Sequence, residues 1–144
     1  MVTMTRDELY AFMAAHRWAV EATVAPSGAP QAAVIGFAAN ERLEIIFDTL
    51  KTSRKYQNIL SAPKMALVIG WDDAQTLQVE GVADEPTGAA LALLKARYFE
   101  VFPDGHEREA WKDIAYIRVK PTWFRYSDFR AEPPTIIEVN AEQI

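Results

Sequence analysis

Cysteine is absent from the 144 residues. That removes disulfides, thiolate metal sites and thiol nucleophiles together. Histidine is scarce: His16 and His106 are the only two, and neither has a second ligand at metal spacing, so no metal site is expected. A basic excess is also missing. The formal net charge is −5, whereas neutralising a nucleic-acid backbone needs a basic face, so no nucleic-acid partner is expected. No apolar run approaches the ~20 residues that cross a bilayer. The opening "MVTMTRDELYAF" lacks an apolar signal core. A soluble, cytoplasmic protein without a membrane partner is expected. Ser27 and Ser53 have no neighbouring histidine, so serine hydrolysis has no support, and no catalytic residue stands out.

What remains is ordinary globular composition, 50% apolar and 24% charged, in a length that fits one domain over residues 1–144. Thr5 and Glu8 form a T-x-x-E capping box, and Leu9, Phe12 and Met13 follow at helical spacing, which predicts a helix ending near His16. The period then changes. "WAVEATVA" (18–25), "PQAAVIGFAA" (30–39) and "LEIIFDT" (43–49) read as three strands of an antiparallel meander, separated by "PSGAP" and "NER". A short helix over 53–61 stops at Ala62-Pro63. Strands over 64–71 and 76–84 flank the turn "DDAQ". A longer helix, "TGAALALLKARYFEVF", turns Leu91, Leu94 and Tyr98 to one face. A loop with one helical turn follows, then a strand over 115–128 bent at Pro121 and a short strand over 135–139.

That is about seven strands and three helices. Short connections favour antiparallel pairing. Weak alternation in some strands favours a closed sheet, because closure removes open edges. The expected fold is a mainly β, six- to seven-stranded split barrel with flanking helices.

One stretch conflicts with the acidic whole. "TLKTSRKYQNIL" (49–60) gathers Lys51, Arg54 and Lys55 where the short helix begins. A helix N-terminus carries about +0.5 of a charge, so cations there add repulsion. Thr52 or Ser53 supplies an N-cap hydroxyl, but Arg54 and Lys55 have the wrong sign for a first turn. The arrangement makes sense if a phosphate completes it, meeting hydroxyls, backbone N–H groups, a guanidinium and an ammonium together. Solvated surface charge is the competing explanation.

The order of motifs sharpens this. "IIFDT" runs through "LKTSRK" into the helix, then to Ala62-Pro63, a strand ending at Trp71, and a strand carrying Glu80-Gly81. Together with the closing "KPTWFRYSD", this set resembles the flavin-binding split barrel of the pyridoxamine 5'-phosphate oxidase-like superfamily over roughly residues 5–130. The resemblance implies a homodimer with FMN at the subunit interface. It assigns the phosphate to Arg54 and Lys55, helped by Ser53. Phe47 belongs to the matching motif, and Asp48 and Thr49 would lie along the flavin. Val34, Ile35 and Gly36 would underlie the ring, Thr76 and Gln78 would approach from beside, and Trp123 and Arg125 would reach the partner's flavin. Lys51 or Gln78 would face the pyrimidine edge.

The chain also departs from that family's vitamin oxidases. "AVIGFA" lacks their Arg and Lys, Thr76 replaces a Gln, and "FRYSDFRAEPP" lacks their R-x-H-x-R clamp. The resemblance therefore implies the cofactor rather than vitamin B6 oxidation. The expectation is an FMN-dependent oxidoreductase acting on a small molecule, with a nicotinamide donor or a reducible organic compound as the other partner. The alternatives are F420 or haem in the same fold, or a non-catalytic flavin-binding dimer. Among the remaining aromatics, Trp71 is expected in the core or an interface and Trp111 as a packing anchor.

Overall fold

The computed structural model describes residues 3–144. Helix α1 (Arg6–Ala14) starts at the expected capping box: Thr5 Oγ1 accepts from the Glu8 N–H and the Glu8 carboxylate accepts from the Thr5 N–H. The sheet strands are β1 (Trp18–Val24), β2 (Pro30–Gly36), β3 (Ala38–Ala39), β4 (Ile45–Leu50), β5 (Lys64–Ile69), β6 (Gln75–Asp84), β7 (Ile114–Asp128) and β8 (Thr135–Asn140). Helix α2 (Arg54–Ser61) separates β4 from β5, and α3 (Gly88–Val101) and α4 (Gly105–Arg108) separate β6 from β7.

All strand pairs are antiparallel, in the order β2-β1-β5-β6-β7-β4-β3, with β8 on β7. β2 and β3 stand at opposite ends of that path, yet one residue, Phe37, joins them. The sheet must therefore curl until its ends approach, and the result is a split barrel with flanking helices. The expected meander is corrected at this point. The expected middle strand over 30–39 is broken at Phe37: its first part, β2, forms a hairpin with β1, its last two residues, β3, pair with β4, and β4 takes β7 as its other partner. The reason is local. Phe37 turns inward and is fully buried, ending β2. Asn40 Oδ1 then accepts from the N–H groups of Arg42 and Glu44, building a separate tight turn between β3 and β4.

Strand periodicity decides what fills the barrel. In β6, Leu77, Val79, Gly81 and Ala83 point inward and the residues between them point out. They join Phe37, Phe47 and Phe124, all fully buried, in the main core. A second core forms on the outside of β4, where Ile46 and Tyr116 receive Leu94, Tyr98 and Phe99 from α3. The expected face of α3 is confirmed with Leu91 at its margin. Trp71 and Trp111 are each about half exposed at 51% and 53%. The expectation that Trp111 anchors packing is thus overturned, and Trp71 is not in the core: both lie outside the strands, Trp71 just past the end of β5 and Trp111 between α4 and β7.

Two backbone details explain earlier motifs. In "DDAQ", Asp73 and Ala74 both take positive φ (58° and 54°), the conformation a tight two-residue hairpin requires. Gly81 lies beside a bulge: Glu80 pairs with Trp123 and Gly81 with Pro121, leaving Thr122 unpaired. A Cβ on Gly81 would stand 2.7 Å from the Lys120 carbonyl oxygen. Glycine is required there by the close approach of β7.

Candidate functional site

Helix α2 covers one mouth of the barrel. Its N-cap is Ser53, whose Oγ accepts from the Tyr56 N–H at 3.2 Å and lies 2.9 Å from Thr49 Oγ1. Gln57 closes the preceding turn by donating to the Lys51 carbonyl at 2.8 Å. The first turn contains no acid. Lys51, Arg54 and Lys55 form no ion pair among the described residues, whereas Arg108, Arg118 and Arg130 each hold at least one carboxylate. The helix is pinned from below. Asn58, almost fully buried, donates to Thr23 Oγ1 at 3.0 Å and to Gln31 Oε1 at 2.9 Å. Beside this anchor lies a cavity of about 120 Å³ bounded by Arg54, Lys55, Glu21, Thr23, Gln31 and the β2 edge.

The outer face of the sheet carries the second half. Two rows of paired residues cross it. One runs Val34, Val20, Val68, Gln78, Arg125; the next runs Ala32, Ala22, Ala66, Glu80, Trp123. Each row is apolar over three strands; the first then ends in two polar residues, Gln78 and Arg125, and the second in Glu80 and the aromatic Trp123. Val34 is 63% exposed, and shallow apolar hollows lie along both rows. Contiguous exposed apolar surface of this kind marks an interaction face. Ala32 belongs to this face and also lines the cavity at Arg54 and Lys55. The cationic mouth and the apolar face therefore meet around β2.

The sequence-derived residues separate into three groups. Thr49, Lys51, Ser53, Arg54 and Lys55 gather at the head of α2. Val34, Gln78, Trp123 and Arg125 share the outer face, with Thr76 on the same phase of β6; Arg125 there pairs with Glu138 at 2.6 Å. Ile35 and Phe47 point into the core, and Gly36 is backed by the Phe102 ring, so these three can offer a ligand only backbone or support. Asp48 turns its side chain away to the α3 layer. Its Oδ2 accepts from Arg108 Nε at 2.7 Å, and Arg108 also holds Asp104. Burial disfavours the Arg108 charge, but Asp48 and Asp104 raise its pKa above the ordinary arginine value. Burial, with Asp48 adding to it, likewise pushes the Tyr98 hydroxyl upward.

Glu21, Thr23, Gln31 and Asn58 were not anticipated. The signal lay in "WAVEATV": alternation puts Glu21 and Thr23 on the buried phase with Ala19. Burial raises the Glu21 pKa and the charge of Lys55 partly offsets the rise.

Residues 5–128 match the pyridoxamine 5'-phosphate oxidase family, and the chain belongs to it. No curated protein matches at the sequence level. Solved structures share the fold at low identity. A haem-binding protein from Mycobacterium smegmatis superposes with a TM-score of 0.83 at 16% identity, over 99% of this chain and 60% of its own. This chain thus spans little more than half the length of that relative. A pyridoxamine 5'-phosphate oxidase-related, FMN-binding protein from Nostoc punctiforme gives 0.67 at 15% identity, over 86% and 80%. The haem storage protein HutZ of Vibrio cholerae gives 0.70 at 17%, over 80% and 88%. Among the described residues no helix is long and apolar enough to cross a membrane.

Proposed function

We propose that residues 1–144 form one FMN-binding split-barrel unit that works as a homodimer and acts as an oxidoreductase on a small molecule. One observation carries the reading: three cations without ion-pair partners surround the capped N-terminus of α2, and an apolar sheet face begins beside them. A ligand with an anionic tail and a flat apolar head fits that pairing. Arg54 and Lys55, with Ser53, would hold the phosphate. Val34, Gln78, Thr76, Trp123 and Arg125 stand where a ring system and a second subunit would share the outer face. When bound, FMN supplies the redox chemistry; this chain's residues anchor its tail, shield one ring face and exclude water.

Two further details favour flavin over the other cofactors seen in the fold. F420 carries a longer anionic tail, and the cations at the head of α2, Lys51, Arg54 and Lys55, form one compact cluster within five positions. Haem needs an axial ligand. His16 Nδ1 is engaged with the Phe12 carbonyl at 2.7 Å, His106 lies on the surface by Glu109, and neither lines the mouth or the two rows. Vitamin B6 oxidation is not part of the proposal, because Thr76 and the "FRYSDFRAEPP" segment depart from that pattern.

The test is titration of the purified protein with FMN, followed by flavin fluorescence. Replacing both Arg54 and Lys55 with Ala should weaken binding by more than ~tenfold, the least expected from losing two charge-assisted contacts. Unchanged affinity would remove the cluster from the site. Bleaching of the bound flavin by NADH or NADPH under anaerobic conditions would establish turnover.

A further inference from the structure

Glu21 has no part in the reading above, yet it lines the same cavity. It is 2% exposed, and its Oε2 has no hydrogen-bond partner among the described residues. A buried carboxylate in that state is costly unless it is neutralised or paired. The groups facing it are few. From α2 come Lys55 and Arg54, from β1 Thr23, and from β2 Gln31 and Ala33. On β5 Leu67 stands opposite it. Only Lys55 and Arg54 in this set carry charge. Asn58 commits both its bonds to Thr23 and Gln31. The ionised form of Glu21 therefore depends chiefly on Lys55.

We propose that Glu21 makes anion binding at Arg54 and Lys55 proton-linked, its carboxyl taking up a proton as a phosphate dianion takes over Lys55. The inference rests on the reading that a phosphate occupies this cluster. Burial already raises the Glu21 pKa, with Lys55 opposing the rise. A dianion beside Lys55 cancels that opposition and adds repulsion, and both effects move the pKa further up. The protonated carboxyl gains an O–H donor, which a ligand oxygen can accept. Linkage then fixes the sign. Affinity is highest below the pKa of the free site, falls as pH rises towards the pKa of the loaded site, and is flat above it.

The phosphate ester ionises near pH 6, but that acts equally on the protein and on a Glu21→Gln variant, so it cancels in their ratio. FMN should bind the variant at least ~tenfold more tightly than the unaltered protein at alkaline pH, with the difference closing as pH falls through the Glu21 titration. Calorimetry of the unaltered protein across the same pH range, in two buffers of different ionisation enthalpy at each pH, should register proton uptake on FMN binding wherever affinity falls with pH. That measurement decides the matter even if the variant fails to fold. A ratio that does not change with pH, or no uptake, overturns the role of Glu21; the phosphate reading then stands if the Arg54 and Lys55 double variant still binds weakly. If that double variant binds FMN normally, the phosphate reading falls first and this proposal with it.

Discussion

Asn58 is the residue whose loss should be felt most sharply near the site. Its amide makes two bonds of different worth. Gln31 is half-buried and can turn to water if released; Thr23 is 2% exposed and cannot. An ordinary hydrogen bond contributes about 0.5–1.5 kcal/mol net, and stranding a buried hydroxyl costs about 1–3 kcal/mol. Asn58→Ala should therefore destabilise the protein by roughly 2–4 kcal/mol. At a urea m-value of about 1–3 kcal/mol/M, the midpoint should move down by on the order of 1–2 M. The assay is urea unfolding followed by tryptophan fluorescence. The reasoning extends to a double-mutant cycle. Thr23→Val removes the group that Asn58→Ala strands, so the double variant should be more stable than the sum of the two single losses implies by about 1 kcal/mol or more. A cost below about 0.5 kcal/mol for Asn58→Ala, or strict additivity in the cycle, would refute the claim that this amide pins α2 to the barrel.

Gly81→Ala should destabilise by about 1–3 kcal/mol, because the new methyl meets the Lys120 backbone as well as the buried Val119 side chain; an unchanged thermal midpoint would contradict the contact. Glu21→Gln should raise stability at neutral pH. The folded carboxyl titrates above its ordinary value of 4.5, so the native protein loses stability as pH climbs from 4.5 to that raised value. The gain from Gln should vanish below pH 4.5, and denaturation curves across that range would detect a gain of the wrong sign or one that persists in acid.

Local signals account for most of what could be foreseen. "TRDE" marked the first cap, "TSRK" the second, and the alternation of "TLQVEGVAD" the inner and outer faces of β6. Failures came where the deciding contact is distant or hidden. Nothing near "LEIIFDT" says that its partner is β7, and its unbroken apolar run conceals that Ile46 and Asp48 face α3 while Phe47 faces the barrel. Arg108, which claims Asp48, lies 60 positions away. The cationic cluster was legible because it contradicts helix electrostatics on the spot. The carboxylate beneath it was legible only as a phase error in β1, and its meaning required knowing that α2 packs there.

The pairing of β4 with β7 bears on how the chain reaches this state. Leu50 pairs with Ile114 and Ile45 with Val119, so every bond in that ladder spans more than sixty residues. Such long-range closure is slow compared with hairpin formation. On the ribosome, the first hairpin can zip as it emerges, but β4 acquires its long partner only after β7 is made. Truncations ahead of residue 114 should therefore yield aggregates rather than a smaller working unit.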